Sequence, residues 1–251
     1  MNKNIFKISD QISIDEVEKI YEKNFEKIIY EFFNLEHEWM FNAYKEYKDF
    51  DKYLILIYLL HKTLETYNKH FYKVSFEKFY NNPHIEIEKI SIIDLVKSLS
   101  MSKETVRRKL NELSKEGVLT RKLKNIRINK VNSNARLERN VFNLSKLVFL
   151  LTSKLGKEHS LEDFSRLEIE KKIRNNYTQY WSLFFKFQIN YVLRCKNVYS
   201  SIESFYVWGL CAFNEALNSK KLSKSIKDNM FMETKDFHEN VTKLQNSKGL
   251  N

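Results

Sequence analysis

"MSKETVRRKLNELSKEGVLTRKL", residues 101–123, decides the fold. Ser102 is of the type that caps a helix, and Val106, Leu110 and Leu113 follow at i, i+4 and i+7, the spacing of one buried helical face. Gly117 stands where a helix stops on a left-handed residue. "VLTRKLKNIRINK" after it predicts two short strands around Lys124–Asn125. With the apolar positions inward, a step of about 100° per residue turns Glu104, Arg108 and Asn111 outward. Arg107 flanks them, and Lys103 lies in the first turn.

Charge singles out the same stretch. The chain carries a net +11. Residues 101–130 hold ten basic and three acidic side chains, a net +7 in thirty residues. The abundance of Lys, Asn, Ile, Phe and Tyr suits an AT-rich genome, and that drift raises pI without function. A local excess of this size is different, and it suits an acidic partner such as nucleic acid.

Upstream, "SIIDLVKSLS" (residues 91–100) places Ser91 and Asp94 at capping-box spacing and turns Ile92, Leu95, Val96 and Leu99 inward. Helix, tight turn, helix, glycine stop and hairpin is the order of a winged helix-turn-helix. Residues 91–119 resemble the DNA-binding segment of winged-helix transcriptional regulators, most closely the catabolite-activator type. The pattern is met by Ser91, Leu95, Leu99, Ser102, Glu104, Thr105, Val106, Arg108, Leu110, Leu113, Gly117 and Val118. It is broken at Val96, where a small residue is usual, and at Ser100, where the turn usually has glycine. The resemblance spans Ile85 to Lys130. The layout, with helices before and after, is similar to that of the multiple-antibiotic-resistance-type regulators.

That resemblance implies that Lys103, Glu104 and Arg108 read bases. Chemistry agrees: Arg grips guanine O6 and N7 with two bonds, and Glu accepts from cytosine N4. Lys103, where Arg is usual, lacks the rigid fork. Ser102, Lys103, Glu104, Arg107, Arg108 and Asn111 are therefore the candidates for the major groove. Arg121, Lys122, Lys124 and Arg127 on the hairpin suit phosphates or a minor groove.

The flanking regions read as helix. Ser13 and Glu16 form a capping box, and Ile20, Phe25, Ile28, Ile29, Phe32, Phe33 and Leu35 recur at helical spacing. Asp49 or Asp51 caps a second helix with a stripe of Leu56, Leu60, Leu64, Tyr67 and Phe71. "NNP" (81–83) ends that block, and "HIEIE" (84–88) alternates as a strand would. The expected division is a helical region 1–83, a winged domain 84–131 and a helical region 132–251 for dimerisation, effector binding or both.

In the last region Leu137, Val141, Leu144, Val148, Leu151 and Leu155 form a heptad seam closed by Gly156. It is the candidate homodimer contact, with Leu147, Phe149 and Leu150 widening it and the 56–64 helix as its neighbour. Capping boxes at Ser160/Asp163 and Ser200/Glu203 open later helices. Residues 219–229 suit a loop or a helix start, and the C-terminus is expected to fray. The aromatics of Tyr180–Phe187 and Phe205–Trp208 suit a helical core, or a pocket for a small-molecule effector.

Enzyme signatures are missing from the sequence. Four scattered glycines give no phosphate-cradling loop, and neither H-E-x-x-H nor C-x-x-C occurs. "EHE" (36–38) reads as a solvated helix face rather than a metal site, so no catalytic residue, metal or cofactor is expected. The start of the sequence has no apolar signal segment, and the longest apolar run, Tyr53–Leu60, is too short to span a bilayer. The expectation is a mainly α, cytoplasmic protein that binds double-stranded DNA as a sequence-specific transcriptional regulator. The alternatives are a replication initiator or DNA-architectural protein of plasmid or phage type, and a helical scaffold using its winged helix for protein contacts.

Overall fold

The computed structural model describes residues 13–82, 84–87, 89–122, 125–129, 134–159 and 164–225. Four helices come first: α1 (Ile14–Lys23), α2 (Phe25–Tyr47), α3 (Phe50–Lys69) and the short α4 (Phe76–Tyr80). Strand β1 (His84–Ile87), α5 (Ile92–Leu99), α6 (Lys103–Lys115), β2 (Leu119–Lys122) and β3 (Asn125–Asn129) form the centre. Helices α7 (Asn134–His159), α8 (Arg166–Asn175), α9 (Tyr177–Tyr199) and α10 (Ile202–Ser225) follow. The fold is mainly α with one small antiparallel sheet in the order β1-β3-β2, a winged helix-turn-helix between helical blocks.

Helix α3 organises it. Asp49 caps its N-terminus by accepting from the Lys52 amide at 3.0 Å. Every residue from Lys52 to Leu59 is buried, so the helix has neighbours on all sides rather than one apolar stripe. Helix α9 lies along one side, α2 along another, and α5, α6 and β1 cover the rest. Trp39 of α2 stands edge-on to Phe184 of α9, with ring centroids 4.9 Å apart, and Trp181 stacks on Tyr177 at 5.0 Å. The aromatics at Trp181, Phe184, Phe185 and Phe205 are core, whereas Tyr180 and Trp208 remain exposed. At the head of α9 Thr178 Oγ1 donates to Tyr72 O and accepts from the Val74 amide, which ties the loop after α3 to α9.

Several expectations need correcting. Phe71 is outside α3, in the left-handed region at φ 58° and 88% exposed, so it does not extend the stripe. Gly156 lies inside α7 rather than closing it, because nothing there requires a left-handed residue. Helix α7 packs on α2 and α8, with α1 beside it, since α9 occupies the face of α3 where α7 was expected. Ser201 rather than Ser200 accepts from the Ser204 amide at the head of α10, and Ser200 sits in the preceding left-handed turn. Residues 219–225 continue α10. Glu36 is only 4% exposed, so "EHE" is not a solvated face. The Ser160/Asp163 box, Lys124 and the C-terminus from residue 226 lie outside the described residues, as do the side chains of Lys122, Leu137 and Leu155.

Between α5 and α6, Ser100 takes the left-handed conformation at φ 50°. A Cβ there costs roughly 1–2 kcal/mol, whereas glycine costs about 0.5–1 kcal/mol in extra unfolded-state entropy. Ser100→Gly should therefore stabilise the chain by about 0.5–1 kcal/mol, read as a higher urea midpoint at unchanged slope. A lower midpoint would show that the serine side chain contributes something glycine cannot replace.

Candidate nucleic-acid interface

Two caps and one turn set the angle between the central helices. Ser91 and Asp94 exchange bonds at the head of α5, with Ser91 Oγ accepting from the Asp94 amide at 3.1 Å. After the turn at Ser100, Ser102 Oγ accepts from the Thr105 amide at 3.0 Å and starts α6. Val106, Leu110 and Leu113 are buried with Leu95 and Leu99, which locks α6 across α5. Gly117, at φ 74°, turns the chain into β2.

The opposite face of α6 is open. Ser102, Lys103, Glu104, Arg107, Arg108 and Asn111 are all exposed, on the face the sequence pattern assigns to them. The wing follows at an angle set by Asn129, whose Nδ2 donates to Gly117 O at 2.6 Å and to Thr120 Oγ1 at 3.0 Å. Leu119 and Ile128 pair across β2 and β3 and are buried, whereas Arg121, two residues further along β2, is exposed. Arg127 pairs in register with Glu86 of β1, Nη2 to Oε1 3.8 Å, a long and exposed contact of small energetic weight. The third strand thus supplies an acid beside one of the wing's cations.

A second set of charges, not foreseen from the sequence, holds α6 in place. Lys109 points inward, and its Nζ donates to Asp49 at 2.5 Å and to Glu112 at 3.1 Å. Lys52 of α3 answers from the other side, bonding Glu116 at 2.5 Å and Glu112 at 3.3 Å. Both lysines are almost fully buried while their acids keep some contact with water, so each ammonium is satisfied without stranding a carboxylate. Burial works to raise the carboxyls of Asp49 and Glu112. The bonds from Lys109, from the Lys52 amide to Asp49 and from the Lys52 ammonium to Glu112 outweigh it and hold both below the ordinary range. The spacing Lys109–Glu112–Glu116 is visible in the sequence, but its partners on α3 are about sixty residues away.

This geometry is that of a helix-turn-helix DNA-binding domain, with one helix packed inward through Leu95 and Leu99 and the next presenting a basic, exposed face. Residues 86–130 match the DeoR-like helix-turn-helix domain. The match covers the central domain only, and it supports a DNA-binding regulator without the finer catabolite-activator or multiple-antibiotic-resistance type. No curated protein and no solved structure matches the chain. No described helix is long and apolar enough to cross a membrane.

The two kinds of basic residue on α6 should separate by mutation. Lys109→Met is expected to cost about 1.5–3 kcal/mol of stability, the range for a lost hydrogen bond to a charged group. Arg108→Met should stay within about 0.5 kcal/mol, as an exposed substitution does. The Lys109 deficit should shrink as pH falls below the ordinary aspartate value of 3.8, because a depressed carboxyl stabilises fully above that pH and loses its contribution as pH falls through its folded value. Urea titrations at neutral pH and at about pH 3 measure both. Equal effects of the two substitutions would refute the inward assignment of Lys109.

Proposed function

We propose that the chain is a sequence-specific transcriptional regulator that reads double-stranded DNA with the outer face of α6. One observation carries this reading. The six residues picked for base contact share a single exposed face, while the remaining basic residue of the helix interior, Lys109, is turned in and neutralised. Lys103 and Glu104 lie in the first turn, where a helix N-terminus enters a major groove. Arg108 and Asn111 follow one and two turns on. Arg121 and Arg127, with Lys122 and Lys124 beside them in sequence, supply positive charge for flanking phosphates.

Binding by variants tests the assignment. Arg108→Ala should cost about 1–3 kcal/mol on the preferred site and relax base preference there. Arg121→Ala should weaken all sequences alike and lower the salt slope by about one. If both variants lose the same affinity on selected and random DNA, α6 does not read bases. Footprinting on fragments selected from genomic DNA extends the test: one short palindrome supports a regulator, direct repeats indicate an initiator, and no protection leaves the scaffold.

A single recognition helix reads too few base pairs to find one site in a genome, which favours two copies on a two-fold site. Val141 is sealed in the chain's own core, and Leu144 and Val148 are half-buried against it. A shared contact would therefore use the opposite, outer face of α7, where Phe142 and Phe149 are exposed seven residues apart. Sedimentation at micromolar concentration decides this. A dimer on α7 should dissociate in Phe142→Glu, and a clean 30.4 kDa species with and without DNA would rule pairing out.

A further inference from the structure

Helix α3 ends in an exposed stretch, Lys69 to Lys73. The helix is closed by the Tyr72 amide donating to Tyr67 O at 2.8 Å and the Phe71 amide donating to Asn68 O at 3.1 Å. That closure needs a left-handed residue, a place usually held by glycine. Here it holds Phe71, at φ 58° and 88% exposed. A phenylalanine there carries steric strain and leaves its ring in water, so neither the backbone nor the core accounts for it. The stretch is nevertheless firmly tied, since Thr178 Oγ1 donates to Tyr72 O and accepts from the Val74 amide.

Its place in the fold is beside the wing. Helix α3 passes α5, where Tyr58 and Ser98 share a hydrogen bond at 2.8 Å, and then packs on β1. In its last turn the Tyr67 hydroxyl is pushed up by burial and then by the charge of Glu86 on β1, and the Tyr72 ring stands edge-on to the Tyr67 ring at 6.3 Å. Glu86 and Ile87 are level with Arg127 and Ile126, at the end of the sheet next to the β2–β3 turn. The acids around this edge are already paired, Glu65 with Lys62 at 2.8 Å, Glu77 with Arg174 at 3.2 Å and Glu86 with Arg127 at 3.8 Å. Lys69 and Lys73 are in no ion pair among the described residues.

We infer that Lys69 to Lys73 is a third DNA-contacting element beside α6 and the wing, with Lys69 and Lys73 on phosphates of the flanking duplex and the Phe71 ring against its minor-groove sugars. This rests on the reading of the chain as a duplex-binding regulator. Two observations select DNA as the occupant. The stretch lies beside the strand pair that presents Arg127, so it is continuous with the wing's own basic edge. Its two unpaired ammonium groups flank one exposed ring, a combination that suits a polyanion with apolar sugar faces. Such a contact carries no sequence information; it adds affinity and fixes the register of the protein on the duplex.

Binding of the full chain to a random-sequence duplex of about 30 bp, between about 50 and 200 mM salt, tests the contact, because phosphate binding is independent of sequence. Lys69→Gln combined with Lys73→Gln should lower the salt slope by about two. Phe71→Gly should weaken binding about three- to tenfold. The same substitution should raise the urea midpoint, because glycine relaxes the left-handed turn. A ring that served only the fold would move stability and binding in the same direction, so weaker binding with a lower midpoint would overturn the proposal. Base preference on a selected site should stay as in the wild type, unlike that of Arg108→Ala. Wild-type binding by both loop variants, with Arg121→Ala weakened, would refute this contact and leave the duplex-binding reading standing. No duplex binding by the wild type would overturn both.

Discussion

A helix buried around its whole circumference must be supplied with partners on every side, and α3 imposes that demand on the rest of the chain. Its run from Lys52 to Leu59 has no solvent face. One side is met by α9, which brings Trp181, Phe184 and Phe185, and another by Trp39 of α2. The remaining side is met by the winged segment itself. Leu110 and Leu113 belong to the same continuous core as Leu54 and Leu59. The helix-turn-helix is therefore built onto α3, and its central hydrophobic contact is made with a helix from outside the matched 86–130 segment.

Apolar contact alone would let α6 slide along α3, because burial energy has little direction. The Lys52 and Lys109 bonds supply the direction. Two ammonium groups reach across the interface in opposite senses, Lys52 from α3 to Glu112 and Glu116, and Lys109 from α6 to Asp49. A shift of one helical turn would leave buried charges without partners, which costs far more than the pairs contribute. The same arrangement sorts charge. It neutralises Lys109 against the core and leaves Lys103, Arg107 and Arg108 toward solvent, so the positive charge of α6 that remains unpaired is on its outer face.

The local features were legible in the sequence because local rules determine them. Capping boxes at Ser13 and Ser91, the caps at Asp49 and Ser102, the left-handed Gly117 and the 106–110–113 face each depend on residues within a few positions. The outward face of α6 follows from the same periodicity. Failures came where a choice depends on distant chain. The stripe read on α3 missed that its polar-looking positions, Lys52, His61 and Thr63, are buried too, because α9 and α6 arrive from far away in sequence. Glu36 looked solvated for the same reason, since Gln188 lies 152 residues on. The partner of α7 was misassigned because an apolar stripe states that a face is covered, not by what.

Both ends of the winged segment are fastened as well as its middle. Beyond β3 the chain enters α7, where Glu138 is bonded by Arg174 of α8. That guanidinium also reaches Glu77 of α4 at 3.2 Å and Glu170, and lies 4.9 Å from the centre of the Phe76 ring. Helix α4 leads into β1, so one arginine joins the entry and the exit of the segment. Meanwhile α6 is fixed to α3, which packs directly on α2 and α9. Those two helices are themselves joined by the Glu36–Gln188 hydrogen bond. The α2–α9 pair is thus joined to α6 through α3 and its two lysine bonds, and α2 also packs on α7 beyond the wing.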